Sequence, residues 1–354
     1  MIGILYPRSL LRPLMLGKQS FEKPAFYIKA ASEAGEKVIF FSLSDINWAK
    51  RTVTSWDGVG TVRSMHRLPP VIINRTRTND SLTKRVIQRL KKLGIIVFNE
   101  HNVESKLHVH RILAANKHLL PYLPETDEVS KDSLKNLLGN YDCLYLKPTT
   151  SSVGTGIIRV RKEKSDCIAD INMRGKTKHK RASVKKIVKL VKKRKYKYLV
   201  QQGISLMTYK EQPVDFRVSI QKDEDGAWQY VGMVGRVAQK GAVVTNLHCG
   251  GKSFKASELF EAWGWNGKRV EEHVAALGLN IAVTLEANLP TIADLGIDIA
   301  LDEHQHPWLI EVNFRDLRIT FREAGERDKW KKTFFNPVYY AAYLVRNSEG
   351  SYYN

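Results

Sequence analysis

The stretch DLGIDIALDEHQHPWLIEVN, residues 294–313, reads as two apolar strands joined by the polar turn EHQH, and a hairpin is its economical fold. Residues two apart on a strand share a face, so Glu311 and Asn313 project together. A turn near residues 303–306 brings Asp298 close to Glu311 across the ladder. Two carboxylates and an amide oxygen then converge, while Leu309, Ile310 and Val312 hold the strand by packing. This all-oxygen set suits Mg²⁺, which takes a few carboxylates together with substrate phosphates. On spacing alone, the same pattern also fits a polar side turned to solvent.

The 354 residues favour two or three lobes rather than one core. Strand and helix signals alternate over the first hundred residues: IGILY, PAFYIKAASEAGEKV, KVIFFSL, PPVIINR, SLTKRVIQRLKKLG and IIVFN, the pattern of an open α/β sheet. A helix over ESKLHVHRILAANKHL follows, then the helix SLKNLLGNYD, the strand CLYLKP, the loop TTSSVGTG and the strand IIRVRK. From about residue 198 the texture is mostly β, with strands expected at YLVQQGISL, DFRVSIQKD, AWQYVGMVGRVA and AVVTNLH. One long helix, RVEEHVAALGLNIAVTLEANL, precedes the final strand pair.

The charge is unusual: 57 Lys and Arg against 36 Asp and Glu give +21, which favours anionic partners without choosing among them. The densest run, residues 174–198, places Val184, Ile187, Val188 and Val191 at helical spacing. A helix with one apolar stripe and a solvated basic face therefore accounts for it, and nucleic acid is not favoured because Tyr196 and Tyr198 are the only aromatics there. No apolar run approaches the roughly 20 residues of a membrane span. Three scattered cysteines offer neither a disulfide framework nor zinc spacing, and the start lacks the pattern of a signal peptide, so the expected location is the cytoplasm.

Further candidate residues flank these strands. Lys147 ends a strand before a Ser, Thr and Gly-rich loop containing Ser152, Gly154, Thr155 and Gly156, where backbone N–H groups can approach phosphate oxygens. Arg217, Arg236 and Asn246 fall on successive strands, and paired arginines bind carboxylate or phosphate, although most arginines simply face water. His108 and His110 point apart on their helix, and His304 and His306 occupy a turn. No serine or cysteine nucleophile has an identifiable base.

The ordered series LKPTTSSVGTGI, YLVQQGISL, DFRVSI, GRVA, TNLHCGG and GIDIALD…WLIEVN resembles the ATP-grasp ligases, and within them the YheC/YheD family of endospore-associated proteins. VIINRTRTN and FNEHNVESKLHVHRILAANKHLLPYLPET resemble that family's lead-in, so the likeness spans most of the chain. The resemblance implies a mixed α/β and α+β fold: an N-terminal open α/β (pre-ATP-grasp) domain over residues 1–104, a central ATP-binding lobe with a Gly-rich lid over 105–200, and a C-terminal lobe with the metal site over 201–354. It implies that Lys106 and Lys147 contact phosphates under the Ser152–Gly156 lid, that Gln201, Gln202 and Ile204 line the adenine side, and that Asp298, Glu311 and Asn313 carry Mg²⁺. Arg217, Arg236 and Asn246 then face the γ-phosphate and the reacting carboxylate.

The implied activity is ATP- and Mg²⁺-dependent carboxylate–amine ligation through an acyl phosphate. Many ATP-grasp proteins follow the metal-binding Asn with Pro-Gly, whereas here Phe314, Arg315, Asp316 and Arg318 follow. Arg315, Arg318 and the net charge point to an anionic small molecule or acidic peptide as substrate. The alternatives are a non-catalytic, spore-associated protein keeping the fold and a nucleic-acid binder using the basic run.

Overall fold

The computed structural model describes the chain except residues 19, 61, 78–79, 101, 151–155, 164–165, 174–175, 240–250, 290 and 350–354. Four short, almost wholly apolar strands build a parallel sheet in the order Val38–Phe41, Ile2–Leu5, Val71–Asn74, Ile96–Phe98. Such strands must be covered on both faces. Helix Ser81–Lys92 packs Ile87 and Leu90 against one side. Helix Pro24–Glu33 and the C-terminal helix Arg327–Glu349 cover the other, where Phe334, Val338, Ala341 and Val345 meet Ile2, Ile4 and Ile73. The last helix thus returns to the first strand. A small sheet of Ile46–Asn47, Thr52–Ser55 and Ser64–Arg67, with no counterpart in the sequence reading, sits beside it.

The middle of the chain forms an antiparallel sheet ordered Lys176–Ala182, Asp166–Met173, Ile158–Glu163, Cys143–Pro148, Tyr198–Gln202, Thr126–Glu128. Helices Lys131–Asn140 and Val184–Lys192 cover one face with Leu134, Leu137, Ile187 and Val191. The basic run is therefore strand first and helix second. Its alternating Lys178 and Lys180 are exposed on an edge strand, where charge discourages pairing with another chain.

A third antiparallel sheet runs Lys252–Lys255, Trp228–Val237, Gln212–Lys222, Asp294–Leu301, Pro307–Asn313. Helix Gly267–Glu286, the long helix expected from its period, buries Val270, Val274, Leu277, Ile281 and Leu285 against it. The strand expected at AVVTNLH lies outside the described residues. No described helix is long and apolar enough to cross a membrane.

The parallel sheet and the third sheet are joined by buried charge. Arg75 donates to Glu22 at 2.6 Å and pairs with Asp294 at 3.2 Å, and Arg318 pairs with the same Asp294 at 2.6 Å, all four side chains being essentially inaccessible. Arg318 also lies over the Phe334 ring and donates to Tyr27 Oη. Removing one member of such a cluster leaves its partners buried and uncompensated. Asp294→Ala is expected to lower stability by about 3–5 kcal/mol in denaturant unfolding followed by tryptophan fluorescence; a loss below about 1 kcal/mol would contradict this role.

Candidate active site

Along Asp294–Leu301 the residues Leu295, Ile297, Ile299 and Leu301 enter the core, so Asp294, Gly296 and Asp298 share the opposite face. Arg217 lies directly across from Asp298 on one neighbouring strand, and Glu311 directly across on the other. Asn313 opposes Gly296. A bulge after Asp298 pairs Ile299 with Leu309 and leaves Ile310 as the extra residue. Leu309 and Val312, three apart, therefore both reach the core. Ile310, expected to pack there, is half-buried and lines a cavity instead.

Cations crowd these carboxylates. Arg236 grips Asp215 through two hydrogen bonds of 2.7 and 2.6 Å and also reaches Asp298 Oδ2 at 3.1 Å. Arg217 Nε stands 2.8 Å from Asp298 Oδ1 without the alignment of a hydrogen bond, so this buried oxygen keeps its lone pairs unbonded. Burial pushes the Asp298 pKa up, but Arg217 and Arg236 outweigh it and hold the carboxyl below its usual range. Asn313 Nδ2 lies 3.5 Å from Asp298 Oδ2. Lys106, at the start of helix Lys106–Ala114, pairs with Glu311 at 2.5 Å.

Behind Arg217 stands Asp316, wholly buried, which accepts from Arg217 Nη1 at 3.2 Å and from the Arg318 backbone at 3.3 Å. Burial raises its pKa, with Arg217 opposing. A Cβ at Gly296 would lie 2.4 Å from Arg217 Nη1 and 2.8 Å from Asp316 Oδ1, so only glycine leaves room for this pair.

The middle sheet faces this site. Lys147 donates to Gln201 Oε1 at 2.5 Å, and Gln201 donates onward to Thr126 at 2.9 Å. Burial, partly offset by Glu311 and reinforced by Lys106, lowers the Lys147 pKa to about 8. One cavity is lined by Lys106, His110, Lys147, Gln201, Leu309 and Glu311 from both sheets. Burial, with Arg111, also lowers the His110 pKa. Gln202 accepts from the Glu125 backbone and begins the exit from its strand, and Ile204 is half-buried beyond it. Gly156 has φ +83° and its carbonyl accepts from Tyr198 Oη.

Asp298, Glu311, Asn313, Arg217, Arg236 and Lys106 are thus brought together, with Lys147 and Gln201 opposite. Ser152, Gly154, Thr155 and Asn246 lie outside the described residues. The expectation that Arg318 faces an anionic substrate is corrected: it is 1% exposed and committed to Asp294. Arg315 is half-buried, and burial together with Arg75 lowers its pKa to about 10. Asp215 is absent from the candidates drawn from the sequence, though its period-two spacing to Arg217 makes it legible, and Asp316 figures there only as part of the segment replacing Pro-Gly, because its loop carries no periodic signal. His110, noted there only as pointing away from His108, lines the cavity.

The donor set fits a divalent cation of the Mg²⁺ type. Asp298 Oδ1 is buried and lacks a hydrogen bond, Glu311 stands across the ladder, and the available donors are oxygens. Among the described residues no group of three His, Cys, Asp or Glu forms a complete cage. Mg²⁺ does not require one, since it relies on one or two carboxylates, waters and substrate phosphates.

A family model for YheC/D-like ATP-grasp proteins matches residues 94–344. The endospore coat-associated protein YheD of Bacillus subtilis (strain 168) is 24% identical over 350 residues, covering 95% of this chain and 76% of that protein. Among solved structures, the D-cycloserine synthetase DcsG aligns with a TM-score of 0.57 at 11% identity, covering 96% of this chain and 100% of that one. D-alanine–D-alanine ligase from Bacillus anthracis aligns with 0.55 at 12% identity, covering 98% of each. These structural likenesses establish the mixed α/β and α+β ATP-grasp fold. With well over half its length matched by the family model, the chain belongs to the YheC/D-like ATP-grasp family.

Proposed function

We propose that this chain is an ATP- and Mg²⁺-dependent ligase that joins a carboxylate to an amine through an acyl phosphate, acting on an anionic or peptide substrate. The supporting observation is the direct cross-strand pairing of Asp298 with Glu311, ringed by Arg217, Arg236 and Lys106 and faced by Lys147. Asp298, Glu311 and Asn313 would hold Mg²⁺, which would supply neutralisation of phosphate charge. Lys106 and Lys147 hold phosphate oxygens, and Gln201, Gln202 and Ile204 border the adenine. Ser152, Gly154, Thr155 and Gly156 are assigned to the loop covering the phosphates.

Arg217 and Arg236 hold the transferring phosphoryl group and the substrate carboxylate, a role shared with Asn246. The carboxylate oxygen attacks the γ-phosphorus as the bond to the ADP oxygen breaks. The amine then attacks the acyl carbon, phosphate departs, and the amine proton leaves to solvent or phosphate. Fixed cations aimed at the developing charge lower the barrier without reorganising, and exclusion of water protects the acyl phosphate. No enzyme nucleophile takes part.

A second reading is favoured by one feature. Lys106 compensates Glu311, and the two arginines compensate Asp298, without any metal. A non-catalytic descendant could retain such a balanced cluster. On that second reading the chain would be an endospore coat-associated protein, as the name of YheD describes that relative.

Calorimetry separates the two readings. The ligase reading expects Mg²⁺-dependent ATP binding that weakens about tenfold or more in both Glu311→Ala and Glu311→Gln, with unchanged circular dichroism. Failure of the unaltered chain to bind ATP overturns it. ADP release screened over amino acids and acidic peptides then identifies the substrates.

Lys147 adds a pH dependence. Glu311, Lys106, Asp298 and Asp215 all act on it, and it is charged only below about pH 8. Phosphates bind the charged form, so ATP affinity falls as pH rises through about 8, by up to about tenfold per unit. Lys147→Met is expected to bind more weakly and lose this slope; an unchanged slope in the variant contradicts the assignment. The same shift makes burial of charged Lys147 unfavourable below about pH 8, a cost relieved as pH rises from there toward the ordinary lysine value of 10.5.

A further inference from the structure

The buried arginines around the site are matched to acids with one exception. Arg75 has Glu22 and Asp294, Arg318 has Asp294, Arg217 has Asp298 and Asp316, and Arg236 has Asp215 and Asp298. Arg315 is half-buried yet contacts no carboxylate among the described residues, and its guanidinium makes one hydrogen bond, from Nη1 to the Arg75 carbonyl at 3.1 Å. Glu22 is in its electrostatic field, but both Glu22 oxygens are taken, Oε1 by Arg75 and Oε2 by Tyr6 and Tyr27. A guanidinium carries five N–H donors in a planar fork, so most of its capacity is uncommitted. Withdrawing a cation from water without a partner is unfavourable.

The mounting of Arg315 is rigid. The Arg75 backbone N–H donates to Leu5 O, locking the ends of strands Ile2–Leu5 and Val71–Asn74 together. Beyond it, Asn74 accepts from both the backbone and hydroxyl of Thr76, and Asn102 donates to the Thr76 carbonyl. Arg77 follows, exposed and close enough to add like charge. In the parallel sheet the chain passes from Ile2–Leu5 outward to Val38–Phe41, then crosses back to Val71–Asn74 on the other side. The first and third of these strands flank the reversal, and open α/β sheets bind ligands outside the carboxyl ends of strands at such a point. Arg315 occupies that position two residues after Asn313.

We propose that Arg315, assisted by Arg77, binds an oxyanion on the substrate, a carboxylate or phosphate separate from the carboxylate that is activated. This deepens the ligase reading and rests on it: the substrate carries a second negative group, held between the parallel sheet and the strand bearing Glu311 and Asn313. Arg318, though nearby in sequence, has no part because it is 1% exposed, enclosed between Asp294, Tyr27 and the Phe334 ring.

The test is protection of Arg315 from p-hydroxyphenylglyoxal in the full chain without nucleotide, read by peptide mass spectrometry, with exposed Arg67 and Arg85 as internal controls. The probes are inorganic phosphate, L-glutamate and, as a neutral comparison, N-acetyl-L-glutamine amide. Phosphate, glutamate or both are expected to slow labelling of Arg315 by about fivefold or more, with the controls unchanged. Protection by phosphate alone assigns a phosphoryl group, and by glutamate alone a carboxylate. Equal labelling with and without both anions, or equal protection by the neutral amide, overturns the proposal. Because no nucleotide is present, a chain that fails to bind ATP can still show protection, and an active ligase can still fail to show it. Arg77→Gln supplies a second measure that leaves the buried network intact: it is expected to weaken anion protection of Arg315, and unchanged protection removes Arg77 from the site.

Discussion

A continuous run of buried charge, from Glu22 through Arg75, Asp294 and Arg318 to Asp316, Arg217, Asp298, Arg236 and Asp215, ties the N-terminal sheet to the candidate active site. Positive and negative groups alternate along it, with the backbone of Arg318 linking its two halves through Asp316. Burying so many ions is costly unless each is paired with good geometry. This requirement constrains the surroundings: Gly296 must lack a side chain, and Arg318 must adopt a left-handed backbone, φ 62°, to donate its N–H to Asp316 while its side chain reaches Asp294.

The network also fixes protonation. Burial alone would raise the Glu22 carboxyl, but Arg75 and Arg318 bring it down to about 2, and the two arginines beside Asp298 keep that carboxyl low as well. Asp298 is consequently an anion at neutral pH. If Asp298 holds Mg²⁺ as proposed, a carboxylate already ionised needs no proton release on binding, which removes one pH-dependent cost of coordination. The same arginines are the natural counterions for a phosphoryl group, so one set of contacts can serve structure and chemistry.

Much of this was legible in the sequence where period and chemistry coincide. The hairpin at 294–313 shows Asp298, Glu311 and Asn313 through strand alternation, but the direct pairing of Asp298 with Glu311 depends on the bulge at Ile310, which a polar turn between apolar strands does not encode. The helix at 267–286 shows its period. Other features depend on contacts that no local pattern encodes. The C-terminal helix, interrupted in sequence by Pro337 and rich in aromatics, is defined by packing onto the first strand of the chain. The basic run divides into strand and helix because its first half pairs with Asp166–Met173, a partner that charge composition cannot reveal. Arg315 and Arg318 look equivalent in sequence, yet one is buried against Asp294 and the other has no carboxylate partner among the described residues.

The most direct test of the account is a crystal structure of the full chain with Mn²⁺ in place of Mg²⁺ and a non-hydrolysable ATP analogue, with the metal located by anomalous scattering. The account predicts a manganese peak bounded by Asp298, Glu311 and Asn313, with Lys106 turned from Glu311 toward phosphate and Lys147 on the phosphates. Nucleotide bound with no metal at those residues, or crystals in which Lys106–Glu311 and Arg217–Asp298 persist unchanged beside saturating analogue, would contradict it.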